Sequence, residues 1–238
     1  MAVDPRLALA AEPRVQRFGL TERRLHTIHA TALSVLLVSG FALYLPFLAQ
    51  IVSDRPLVKA IHLVAAVGWL AGLALVAVLG DRAALRATRR DIERFDTDDV
   101  LFMRRRRRGT AGRFNGGQKA HAILEAGLSM LFVVSGTLLW LGERNTDLRL
   151  PGTLALHDAA TLLLAVLVVG HIIKATSTPG SLEGIRRGTV TSRYAAEHHE
   201  KWRPSPPASP AALAFTRAPL VMAAVVLAAA VATVTLLV

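Results

Sequence analysis

Residues 156–173, LHDAATLLLAVLVVGHII, carry two histidines fourteen positions apart in a run whose only charge is Asp158. In a helix, fourteen residues rise ~21 Å and return to within about 40° of the starting face. His157 and His171 therefore share one face of one helix, near opposite surfaces of a bilayer. An ionisable side chain inside a membrane-spanning helix is costly and marks a functional site. Neutral imidazole is also a common axial ligand of haem iron. The spacing predicts two haems stacked along one helix.

The rest of the chain agrees with a membrane setting. Its 238 residues are 53% hydrophobic, with mean hydropathy +0.43. Stretches at 27–48, 57–80, 119–141, 154–175 and 218–238 approach or exceed the ~20 apolar residues that cross a hydrocarbon core. These predict an all-α integral membrane protein: a four-helix transmembrane di-haem bundle plus one additional C-terminal transmembrane helix. The expected organisation is an N-terminal arm over 1–25, the di-haem four-helix unit over 26–203, a Pro/Ser/Ala linker over 204–217 and the fifth helix over 218–238. The first span lacks the short apolar core and small-residue cleavage site of a signal peptide, so the N-terminus is expected to be retained.

Loop charges predict orientation. Of 28 Lys and Arg residues, 24 fall in the N-terminal arm, in 82–119 or in 174–217, leaving Arg55, Lys59, Arg144 and Arg149 for the alternate loops. The basic segments are expected to face the cytoplasm of a bacterial cell. That gives a multi-pass protein of the cytoplasmic (inner) membrane with a cytoplasmic N-terminus and an external C-terminus. The net charge of +11 follows largely from this topology. The run Arg104 to Arg108 has no interleaved aromatics, which argues against nucleic acid and for anionic lipid headgroups as partner. With no cysteine in the chain, Cys-ligated iron–sulfur clusters, thiolate-bound haem and covalent c-type haem are excluded, and any haem is held non-covalently.

Depth sorts the eight histidines. His62 lies about as far from the outer end of the second span as His157 does in the fourth, so these two can meet across an outer haem. His171 lies near the inner end of the fourth span, level with His26 and His29 of the first, and periodicity does not choose between those two. A single intramembrane histidine is more often an interhelical hydrogen-bonding group, but two depth-matched pairs sharing one helix favour ligation. Gly40, fourteen residues past His26, returns to the same face near the outer level and would let a porphyrin approach backbone. Gly109, Gly112, Gly116 and Gly117 in the second cytoplasmic segment permit tight turns. His198 and His199 read as solvated, and Trp140 and Trp202 as interfacial anchors.

Several segments resemble the cytochrome b (gamma) subunit of respiratory formate dehydrogenase. They are ERRLHTIHA at 22–30, VSG at 38–40 and again at 134–136, GRFNGGQK at 112–119, LALHDAATLLL at 154–164, and GHIIKATSTPGSLEGIRRGTVTSRYAAEHHEKW at 170–202. The resemblance implies two haem b groups, with His62 and His157 on the outer iron and His26 and His171 on the inner one. It also implies a quinone, menaquinone or ubiquinone, handled at the cytoplasmic end by Asn115, Gly117 and His171. As partners it implies an iron–sulfur subunit and a molybdenum- or tungsten-containing catalytic subunit. Formate would be oxidised on the latter, and electrons would pass through the outer and then the inner haem of this chain to the quinone. The fifth helix has no counterpart in the family's four-helix pattern.

Within that reading, His121 and Glu125 are candidates for relaying protons toward the quinone, and a structural ion pair of Glu125 with a nearby Lys or Arg is the alternative role. Two rival functions share some of these features. One is the cytochrome b subunit of a membrane hydrogenase or another periplasmic oxidoreductase, with the same haem pairs and a different electron donor. The other is a histidine-containing transporter or proton channel, which broken helices at mid-membrane would favour; here the glycines gather at helix ends and in loops.

Overall fold

The computed structural model describes residues 12–51, 54–104, 110–204 and 217–237. Five of its helices are long and apolar enough to cross a membrane: α1 (Leu20–Tyr44), α3 (Arg55–Leu79), α6 (Gly116–Arg144), α7 (Thr153–Ser177) and α10 (Arg217–Leu237). Short helices connect them: α2 (Pro46–Ile51), α4 (Arg82–Glu93), α5 (Thr97–Met103), α8 (Ser181–Arg187) and α9 (Ser192–His198). Two short strands, β1 (Arg14–Gln16) and β2 (Thr189–Thr191), complete the described elements. The expected 204–217 linker and most of the arginine run, with Gly109, lie outside the described residues.

Helix ends follow local chemistry. The first span was expected to reach residue 48, yet α1 stops at Tyr44. Pro46 lacks an N–H and pushes the residue before it out of helical geometry, so Leu45 breaks the helix and α2 starts afresh. α3 begins behind Asp54, whose carboxylate accepts from Leu57 N at 2.9 Å, with Pro56 in the first turn. At the start of α6, Gln118 N donates to Asn115 Oδ1 at 2.9 Å and Asn115 N donates to Gln118 Oε1 at 3.1 Å, a reciprocal capping box.

The chain divides into two compact units. The apolar unit, residues 24–82, 123–172 and 215–238, has a core of Leu33, Trp69, Leu128, Ala160 and Leu164, so all four bundle helices contribute. Leu164 lies seven residues from both His157 and His171, which sets this core between the two histidine levels. α10 packs along α3. Near its end the Leu236 carbonyl accepts from Arg144, whose guanidinium also covers the Trp140 ring at 4.1 Å.

The polar unit, residues 1–23, 83–122 and 173–214, contains the antiparallel ribbon of β1 and β2, with Val15 opposite Val190. The sequence reading contained no strand. The pairing forms because Val190, fully buried, seats Val15, Tyr194, Ala195 and Trp202 in a small core of their own. Gly116 lets α6 start hard against α5, since a Cβ there would stand 2.3 Å from the Asp99 carbonyl oxygen. Buried Asp99 pairs with Lys119 Nζ at 2.6 Å, and the same ammonium donates to the Arg94 carbonyl.

Two expectations for this region are corrected. His199 is not solvated: it is 2% exposed, because 199–201 fold onto 111–112, with His199 Nδ1 2.7 Å from the Gly112 carbonyl and Lys201 N donating to the Ala111 carbonyl at 3.0 Å. Trp202, expected at a membrane interface, packs on the Val190 core and meets the His199 ring edge-on at 6.2 Å. His198 is exposed as expected, its ring stacked on Tyr194 at 4.5 Å.

Candidate haem and quinone sites

Within the apolar unit, the ring centres of His26 on α1 and His171 on α7 are 6.3 Å apart. Two imidazoles on opposite sides of one metal ion, each bonded at about 2.0 Å, put their ring centres about 6 Å apart. The pair thus stands at the separation that bis-imidazole ligation requires. His26 is half-buried, and His171 is exposed with its ring turned toward His26.

His29, the alternative to His26, is already engaged. Trp69 Nε1–H donates to His29 Nδ1 at 3.0 Å, which leaves the proton of a neutral ring on Nε2, 3.2 Å from Glu125 Oε1. Both ring nitrogens therefore have protein partners. Glu125, expected either beside His121 or opposite a Lys or Arg, is bonded to this histidine of α1. His121 lies one turn before it on α6.

At the other level, His62 of α3 and His157 of α7 are half-buried and within electrostatic reach of each other. Their surroundings match. Ser39 Oγ is 2.8 Å from His62 Nδ1, and Ser135 Oγ is 2.8 Å from His157 Nδ1. The next residue in each case is a glycine aimed at the ring. A Cβ on Gly40 would lie 3.5 Å from His62 Cε1, and one on Gly136 would lie 3.6 Å from His157 Cε1. A side chain longer than Cβ would crowd the ring edge next to Nε2, the nitrogen that a haem iron would take. Gly40 is the position that the fourteen-residue spacing from His26 singles out. Gly136, Ser39 and Ser135 are not marked in this way, although the repeated Val-Ser-Gly at 38–40 and 134–136 carries the signal.

The donor set, one pair of imidazoles with ring centres 6.3 Å apart and a second pair within electrostatic reach, fits two haem groups, and the two glycine faces fit the approach of a porphyrin to the outer one. Asn115 and Gly117 lie in the polar unit and His171 in the apolar unit. Asn115 Oδ1 serves the α6 cap while its amide nitrogen donates to none of the described residues; a Cβ on Gly117 would lie 3.4 Å from that Oδ1.

Apolar spanning helices and paired imidazoles define a class, the membrane cytochromes b. Residues 17–180 match the family model described as Prokaryotic cytochrome b561. The chain belongs to that family.

Similar proteins include the cytochrome b556(fdo) subunit of formate dehydrogenase from Escherichia coli K12, 26% identical over 201 residues that cover 79% of this chain and 91% of the relative. The nitrate-inducible cytochrome b556(Fdn) subunit from the same organism is 30% identical over 96 residues, 38% of this chain and 43% of the relative. The formate dehydrogenase cytochrome b556 subunit of Haemophilus influenzae is 32% identical over 95 residues, 38% of this chain and 40% of the relative.

Proposed function

We propose that this chain is the di-haem membrane subunit of a formate dehydrogenase complex. It would accept electrons from an iron–sulfur subunit at the external side and deliver them to a quinone at the cytoplasmic side. A molybdenum- or tungsten-containing partner would oxidise formate. The observation that carries the reading is the 6.3 Å separation of the His26 and His171 rings, together with a second histidine pair at the other end of α7.

Bound haem supplies reversible one-electron chemistry at iron, and with two imidazoles on the metal no position stays open to oxygen or substrate. The protein's own contribution is positional. His62 and His157 would hold the outer iron, and His26 and His171 the inner one. Leu33, Leu128 and Leu164 keep water from the layer between the two levels. Asn115, Gly117 and His171 are the residues for quinone contact, and Asn115 retains an amide donor for a quinone carbonyl. Glu125, joined to His29 at 3.2 Å, and His121 one turn away are the groups for carrying protons in from the cytoplasm.

The N-terminus is cytoplasmic and the C-terminus external, with the basic segments toward anionic lipid. Purification of the membrane complex with identification of co-eluting subunits tests the partners. Recovery of an iron–sulfur subunit and a formate-oxidising subunit supports the reading, and recovery of a hydrogenase large subunit refutes it.

A further inference from the structure

The two serines at the outer pair contain more information than their proximity to histidine. A hydroxyl has one proton. Ser39 Oγ donates it to the Val35 carbonyl of its own helix at 2.7 Å, and Ser135 Oγ donates to the Leu131 carbonyl at 2.7 Å. Toward the histidines, therefore, each oxygen can only accept, and the ring nitrogen 2.8 Å away must carry hydrogen. Both His62 and His157 are fixed as Nδ1–H imidazoles, with the Nε2 lone pair free for a metal. Back-bonding to the preceding turn also locks each serine rotamer, so the acceptor is itself held in place. Ser39 and Ser135 are 6% and 2% exposed, and water does not compete for either oxygen.

We propose that Ser39 and Ser135 are positioning residues for the outer haem: as neutral acceptors they set the tautomer and donor strength of His62 and His157, and so tune the potential of the haem these two would hold. This rests on the di-haem reading. The partner of a metal-bound imidazole's second N–H governs ligand basicity and through it the metal's redox potential. A carboxylate acceptor would pull the ring toward imidazolate and lower the potential, whereas a hydroxyl pulls more weakly. Each ring thus meets a serine hydroxyl, His62 with the Leu36 carbonyl also in reach, and Val-Ser-Gly occurs in the chain only at these two places.

The test is a redox titration of the complex in membranes, followed by haem absorbance and low-temperature electron paramagnetic resonance, in Ser39→Ala, Ser135→Ala, the double variant and Ser39→Thr. Each alanine variant is expected to move one haem component to higher potential and leave the other at its native value. The double variant moves the same component further, and Ser39→Thr, which keeps the hydroxyl, stays at the native value. If both alanine variants hold two haems with unchanged potentials, or move both components together, the inference is wrong. If Ser39→Ala loses the outer haem, retention at native potential in Ser39→Thr supports the hydroxyl's role, and loss in both variants overturns it. A wild-type preparation containing one haem per chain would instead refute the di-haem reading itself.

Discussion

Trp69 donates its indole N–H to His29 Nδ1 at 3.0 Å, and this bond occupies a ring nitrogen that iron ligation would need. A ring nitrogen that accepts a hydrogen bond has no lone pair left for iron, and the opposite nitrogen faces Glu125. The neighbouring histidine one turn earlier, with its ring centre 6.3 Å from that of His171, is the one proposed to hold the inner iron. Replacement of His29 by Gln is therefore expected to leave two haems per chain, whereas His26→Leu leaves one. Haem-to-protein ratios of the two purified variants check this.

Glu125 lies on α6 with one carboxylate oxygen 3.2 Å from His29 Nε2. An ionisable carboxyl among membrane helices is costly and marks a functional site. Glu125→Gln keeps the shape and a hydrogen-bonding group for His29 but carries no exchangeable acidic proton. It is expected to slow quinone reduction at least about tenfold, the scale of a proton-transfer contribution, with unchanged haem spectra. Full turnover in a quinone reductase assay would remove Glu125 from the proton path.

Gly40 and Gly136 face the outer imidazoles with a hydrogen where other residues carry a Cβ. An alanine methyl would sit at ordinary contact distance from the rings, 3.5 Å and 3.6 Å. Gly40→Ala and Gly136→Ala are thus expected to keep both haems. Gly40→Leu and Gly136→Leu drive a branched side chain into the space beside Nε2 and are expected to lose the outer haem alone. Visible spectra at equal protein concentration distinguish the two cases.

His199 gives the polar unit an acid sensitivity. Burial, reinforced by the nearby Arg17 guanidinium, holds its pKa down at about 3 against the ordinary 6.5. The unfolded chain therefore binds a proton on this side chain at a pH where the folded chain does not. The stability it supports is complete above about 6.5 and falls as pH drops toward 3, by up to about 1.4 kcal/mol per pH unit. Unfolding midpoints between pH 7 and pH 4, compared with His199→Asn, are expected to reveal a steeper acid loss in the native chain.

The apolar part of this architecture was legible because long hydrophobic stretches and a fourteen-residue histidine spacing obey helical geometry with little competition. Depth alone groups His62 with His157, and His171 with either His26 or His29. The choice of His26 over His29 could not be read from periodicity, because the two lie within one turn and what separates them is an indole forty residues away in sequence. The serine acceptors lay unassigned in a repeated tripeptide because hydroxyls in membrane helices ordinarily bond their own backbone. These do so and accept from a ring as well. In the polar segments, the ribbon between β1 and β2 and the burial of His199 arise from contacts 85 or more residues apart, beyond any local pattern.

The most direct measurement is a pyridine haemochrome count on the purified complex, native and with single ligand substitutions. Two protohaems per chain are expected in the native protein, and one each in His26→Leu, His62→Leu, His157→Leu and His171→Leu. A native count of one, or a count of two that survives these substitutions, would contradict the paired-histidine account.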